Sequence, residues 1–83
     1  EVDRARAALE AADRQLDSAR RRRELTADNL QLIEKAFALG EADLTTLLRV
    51  RAAALDAEAF DLRQRAARDE AVSQLRQALG VLP

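Results

Sequence analysis

Apolar residues recur through the first half of this chain at alternating spacings of three and four. Val2, Ala5, Leu9, Ala12, Leu16, Ala19, Arg23, Thr26, Leu30, Ile33 and Phe37 fall on one line. That is the heptad seam of a coiled-coil helix, interrupted only at Arg23 and Thr26. A second row, Ala11, Ser18, Leu25, Leu32 and Leu39, is displaced ~200° around the same helix. The second half repeats the arrangement. Leu48, Ala52, Leu55, Ala59, Leu62 and Ala66 form one seam. Val50, Ala53, Ala57, Phe60, Ala67 and Ala71 form another, with Gln64 inside it. After Ala66 the first seam loses register and resumes as Val72, Leu75, Leu79 and Leu82, which predicts a stutter.

Opposed apolar lines predict that each helix has a neighbour on both sides. Alternating leucine and alanine permits close approach, large residues set against small ones. A four-helix bundle made by dimerisation also uses wide apolar faces, so periodicity alone leaves the two arrangements open.

Gly40 is one of only two glycines and stands almost at the midpoint of 83 residues. It can adopt the left-handed conformation that ends a helix after Leu39. Asp43 then suits the N-cap of the returning helix, its carboxylate accepting from the backbone N–H of Thr46 or Thr45. Gly80 is expected to close that helix in the same way, with Pro83 beyond it. Thr26-Ala-Asp-Asn29 could cap a new helix, but the seam runs through it without a phase change. The predicted fold is therefore all-α: a long antiparallel two-helix coiled-coil hairpin. Residues 1–83 form a single hairpin, with helix 1 about 2–39, the tip 40–43 and helix 2 about 44–79. Each helix is ~55 Å long.

Composition narrows the functional classes. Charged residues are 35% and aromatics 2%, the mixture of long helices. Two Phe and scattered Leu cannot build a thick core, so partners are expected. The chain opens already helical in pattern, which predicts a fragment of something larger. Fourteen Lys and Arg against fifteen Asp and Glu leave a net charge of -1, arguing against nucleic-acid binding. The basic run Arg20-Arg21-Arg22-Arg23 fans around the helix as solvated or snorkelling side chains, partly neutralised by Asp13, Asp17 and Glu24.

Catalytic chemistry finds no foothold. Without His or Cys the common nucleophilic pairs and soft-metal sites are absent. Asp13 and Asp17 read as solvated helix surface. Glu41 and Asp43 read as capping and dipole-complementing carboxylates. No glycine-rich phosphate loop is present. No enzymatic activity, cofactor or metal is expected.

The turn Phe37-Ala-Leu-Gly40-Glu-Ala-Asp43-Leu44-Thr-Thr-Leu47-Leu48 is followed by an alanine-rich return helix, Ala52-Ala53-Ala54-Leu55-Asp56-Ala57-Glu58. With the closing Gln77-Ala-Leu-Gly80-Val-Leu-Pro83, nearly the whole chain resembles the second periplasmic hairpin of TolC-like outer-membrane efflux factors. The wording is closest to their heavy-metal efflux branch. The resemblance implies a fragment of an α-barrel, in a trimeric, passive export duct of the outer membrane with this segment in the periplasm. It implies that Leu39, Gly40, Glu41, Ala42, Asp43 and Leu44 form the tip contacted by a periplasmic adaptor, which links the duct to an inner-membrane pump. It also places Thr46 and Arg49 at the pore constriction, where some members carry aspartates. An entrance lined by Arg49 or Arg51 would be positive, or salt-bridged to Glu41 and Asp43.

Two other readings compete. One is the coiled-coil hairpin of a periplasmic adaptor, whose tip carries Arg, Leu and Ser at set spacings. Counting from Arg22 and Leu25, the serine position is Leu32, so that match fails. The other is a free-standing helical-bundle interaction protein that oligomerises through the same seams, and as a fragment the hairpin is expected to self-associate.

Overall fold

A 3.5-residue apolar period, no internal proline and one mid-chain glycine leave the chain little besides two helices and one reversal. The structure, a computed structural model, describes residues 1–81. Helix α1 spans Val2–Ala38 and helix α2 spans Leu44–Gly80. They pack side by side into an antiparallel rod 67 × 13 × 12 Å. Both ends at the tip fall within a residue of the sequence expectation. The passage through Thr26 is continuous helix, its hydroxyl donating back to the carbonyls of Arg22 and Arg23 at 2.9 and 3.0 Å.

The reversal is made by backbone geometry. Gly40 takes φ 75°, the sole positive φ among the described residues. Its N–H donates to the carbonyl of Phe37 at 3.0 Å, and that of Glu41 to the carbonyl of Ala36 at 2.8 Å. This pair of bonds is the Schellman closure, and it satisfies two carbonyls the helix would otherwise leave open. Gly80 does not repeat it. Its φ is not positive, it remains the last residue of α2, and Val81 caps it at φ -95°. The expected closures at the two glycines therefore differ, and Leu82 and Pro83 lie outside the described residues.

That difference gives substitutions of opposite sign. A Cβ added at either glycine meets nothing within 4 Å, so sterics are silent and backbone conformation decides. Gly40→Ala should lower the urea midpoint, costing about 1–2 kcal/mol for an alanine held left-handed. Gly80→Ala should hold or raise it, since alanine is the better helix former by up to about 1 kcal/mol. Equal responses at the two sites would contradict the assignment.

The α1 seam is the one read from sequence, with one change at the tip. Leu16 and Ala19 are buried, and Val2, Ala5, Leu9, Ala12, Arg23, Thr26, Leu30 and Ile33 are half-buried. At the last position Ala36 turns inward, while Phe37 stays 41% exposed.

The α2 seam differs. Its inward line is Leu47, Val50, Ala54, Ala57, Asp61, Gln64, Arg68, Ala71, Leu75 and Ala78. It keeps its three-four alternation to the end, with no stutter. The row read as the first seam faces out, with Leu48, Leu55 and Leu62 at 51–62% exposure and Ala52, Ala59 and Ala66 exposed beside them. Of the second row, Val50, Ala57, Gln64 and Ala71 turn inward, while Ala53 and Ala67 do not and Phe60 is half-covered.

Polar residues occupy the middle of the hairpin interior. Asp61 is 1% exposed, and its Oδ2 meets Arg65 at 3.1 Å on its own helix and Arg23 at 3.7 Å across the seam. Next along, Arg68 donates to Asp13 at 2.6 Å. Of the two positions that interrupt the apolar line of α1, Arg23 is thus met by Asp61 on α2, while Thr26 is satisfied within its own helix.

Candidate functional site: the tip and the two outer faces

The tip is built by the loss of helix at Leu39 and its recovery at Asp43. Asp43 has extended backbone, φ -89° and ψ 168°, so its side chain can reach forward to the open N–H groups of α2. Its Oδ1 accepts from the Thr46 N–H at 2.8 Å. The expected cap is therefore present, with Thr46 chosen over Thr45. Hydrogen bonds from Thr46, then the charge of Arg49, hold the Asp43 carboxyl below the usual carboxylate range.

The sign of the linkage follows. A carboxyl with a depressed folded-state pKa stabilises the fold above its unfolded value, near 3.9. That contribution is lost as pH falls through the folded value. Asp43→Asn, which keeps an accepting oxygen, should therefore flatten this acid-side dependence while retaining most of the neutral-pH thermal midpoint. Asp43→Ala should lose both. A wild-type-like acid slope in Asp43→Asn would rule out this role.

The predicted adaptor-contact residues gather at one end of the rod. Leu39, Gly40, Glu41, Asp43 and Leu44 are exposed, with Leu39 at 73% and Leu44 at 54%, and Ala42 is half-buried. Phe37 and Leu48 extend this apolar surface down both helices. The two constriction candidates separate. Thr46 is half-buried and committed through its N–H to the cap, whereas Arg49 is exposed and has no ion-pair partner among the described residues. Arg51 pairs with Glu34 at 3.8 Å rather than with Glu41 or Asp43. Within the hairpin Asp43 caps α2 and Arg51 is drawn to the opposite helix, while Arg49 remains close enough to act on the Asp43 carboxyl.

The arginine run also resolves residue by residue. Arg23 enters the seam to reach Asp61, and Arg22 swings over the Phe60 ring at 5.8 Å from its centroid. Arg21 makes a long contact with the Ser18 hydroxyl at 3.5 Å. The expected neutralisation by Asp13, Asp17 and Glu24 is replaced. Asp61, more than 35 residues further along the chain, supplies the counter-charge, and Asp13 goes to Arg68.

Viewed across its thin section, the rod has two broad faces. One groove is lined by Glu24, Asp28, Gln31, Glu34, Leu55 and Glu58, and a second along the same face by Asp13, Asp17, Arg20, Arg65 and Asp69. On the opposite face Phe60 sits beside Ala11, Arg14, Gln15 and Ser18. Stepping by seven along each helix places Leu25, Leu32 and Leu39 on the Phe60 face and Leu48, Leu55 and Leu62 on the Glu24 face. Each helix therefore presents its own leucine row, and the two rows look in opposite directions. The sequence pointed to outward rows on both helices. Their placement on different faces needed the register between helices.

Among the described residues no helix is long and apolar enough to cross a membrane. No family model matches this chain, and no curated protein or solved structure matches it.

Proposed function

We propose that this hairpin is one stave of a trimeric, TolC-like outer-membrane export duct, standing in the periplasm with Gly40 at its entrance. The observation that carries the proposal is the outward leucine. With the seam between α1 and α2 already filled, Leu25, Leu32, Leu55 and Leu62 remain 59–69% exposed at coiled-coil spacing. A solitary hairpin gains nothing from such rows, whereas a wall of helices uses both. The exposed tip, Leu39 to Leu44, would dock a periplasmic adaptor that connects the duct to an inner-membrane pump. Arg49 is a cation near that entrance with no ion pair among the described residues, and Thr46 serves the cap. No catalytic step is assigned to any residue, and export would be passive conduction through the assembled wall.

Fractionating source cells and probing with antibody raised to this chain tests the proposal. A band several times heavier than 9.2 kDa in the outer-membrane fraction is the expected result. A band near that mass in the soluble fraction would replace the duct with a free-standing helical protein.

A further inference from the structure

The groove on the Phe60 face differs in charge from the two on the opposite face. Those two mix arginines with carboxylates, one holding Asp13, Asp17 and Asp69, the other Glu24, Glu34 and Glu58. The groove at Phe60 is lined by Ala11, Arg14, Gln15 and Ser18 and holds no carboxylate. At its Phe60 end the Arg22 and Arg63 guanidiniums, one from each helix, lie over the same ring, 5.8 and 5.7 Å from its centroid. Among the described residues, Arg14, Arg22 and Arg63 form no ion pair, and their side chains donate no hydrogen bond. On the row of α2 that carries Arg63, the acids are Asp56 and Glu70, one heptad to either side. Glu70 already accepts from Gln74 at 3.3 Å.

Two like charges brought to one ring repel, and the ring quadrupole offsets part of that repulsion. Contact through the ring leaves the N–H groups free, because they point outward in the guanidinium plane. Each guanidinium carries five such donors in a fixed fork, and one fork is enough to fill a carboxylate. A phosphate monoester presents three oxygens and up to about two charges, so two forks can hold it together. The Gln15 amide and the Ser18 hydroxyl add neutral donors toward Arg14, which stands eight residues from Arg22, about 12 Å along the helix. The whole chain has a net charge of -1, so this positive charge is local and not part of a general attraction for polyanions.

We propose that the Arg22–Phe60–Arg63 cluster binds a phosphate monoester group. Arg22 and Arg63 clamp its oxygens, Phe60 holds the two guanidiniums in place, and Arg14 adds to the positive field along the groove. A small soluble ester and a phospholipid headgroup present the same chemistry to these arginines. The site stands on its own residues and does not depend on the export reading.

Glycerol phosphate and phosphatidate carry that group in soluble and in lipid form, and both can be offered to the purified chain. Titration with glycerol phosphate at constant ionic strength, followed by heteronuclear NMR, should give saturable shifts confined to the residues of this groove. Flotation with phosphatidylcholine vesicles, with and without phosphatidate, reads the lipid form. Binding to either supports the site and identifies the carrier. Arg22→Gln/Arg63→Gln should weaken binding about tenfold or more, with circular dichroism verifying that the helices persist. Arg4→Gln/Arg76→Gln makes the same charge change at the open end of the rod and should leave binding unchanged. Acetate should bind about tenfold more weakly than the phosphate ester. Absence of binding to both forms would overturn the proposal. So would an equal loss in the two double variants, which would mean diffuse charge, or equal binding of acetate.

Discussion

Replacing Arg23 and Arg65 together with alanine should destabilise the hairpin by about 3–5 kcal/mol, the cost of a buried carboxylate stripped of its partners. Asp61→Leu should be neutral or stabilising. The asymmetry comes from where each charge sits. Asp61 is 1% exposed, while the side chains of Arg23 and Arg65 keep 39% and 44% of their surface in solvent. Without Asp61 the arginines relax into water, but without the arginines Asp61 cannot. Its Oδ1 and the Oε1 of neighbouring Gln64 have no hydrogen-bond partner, so the acid is incompletely compensated even in the intact hairpin. Urea denaturation followed by circular dichroism reads both changes. Adding Asp61→Leu to the double arginine variant should restore the lost midpoint. If it does not, the loss belongs to arginine packing rather than to a stranded charge.

The second large effect is expected at Ala57. This residue is 0% exposed, and Ala19, on α1 and further from the tip, is at 1%. Small side chains at these positions let the helix backbones approach closely. Ala57→Leu would force three further carbons into filled space, a strain of about 1–3 kcal/mol, with the helices moving apart to relieve it. Ala59→Leu is the control, because Ala59 is exposed on the same helix and should leave the midpoint within about 0.5 kcal/mol of wild type. A similar loss at both positions would mean that helix propensity, and not interior volume, controls the response.

These two sites also show where sequence reading succeeds and where it stops. The α1 seam was legible because α1 has one dominant apolar line, broken at Arg23 and Thr26, and burial follows that line. Gly40 and Asp43 were legible because their chemistry is local: a left-handed closure and a cap need only a few neighbouring residues. The α2 seam was not. Alanine and leucine surround most of that helix, so hydrophobic periodicity offers several lines of similar merit. What selects among them is the match with α1. A guanidinium at position 23 needs a carboxylate facing it, and the line through Asp61 provides one, while the more apolar line through Leu55 and Leu62 does not. A pattern that counts apolar residues helix by helix cannot register a pairing across the hairpin. The error also explains the spurious stutter, which arose from following an outward row past the point where it ends.

The same limit applied to the candidate site. Exposure of the tip followed from the position of the turn. The assignment of Arg51 to Glu34, and of the two leucine rows to opposite faces, required knowing which residues stand level with one another. Phe60 read simply as a seam member, and its two covering arginines, Arg22 and Arg63, come from different helices.

The single reversal at Gly40 also sets an order of events. Residues facing each other grow steadily more distant in sequence with distance from the turn. The rungs run from Glu34–Arg51 through Arg23–Asp61 to Asp13–Arg68, the last 55 residues apart. Closing the outermost rung first would leave the whole intervening chain as a loop, and each doubling of loop length costs about 0.6 kcal/mol of entropy. Folding that starts at Gly40 and proceeds outward never closes a long loop, because each rung inherits the one before it. The hairpin is then a zipper with one fixed end, whose polar rung at Asp61 is an uphill step midway. Its open end, around Val2 and Ala78, is the first part to separate and the last to close.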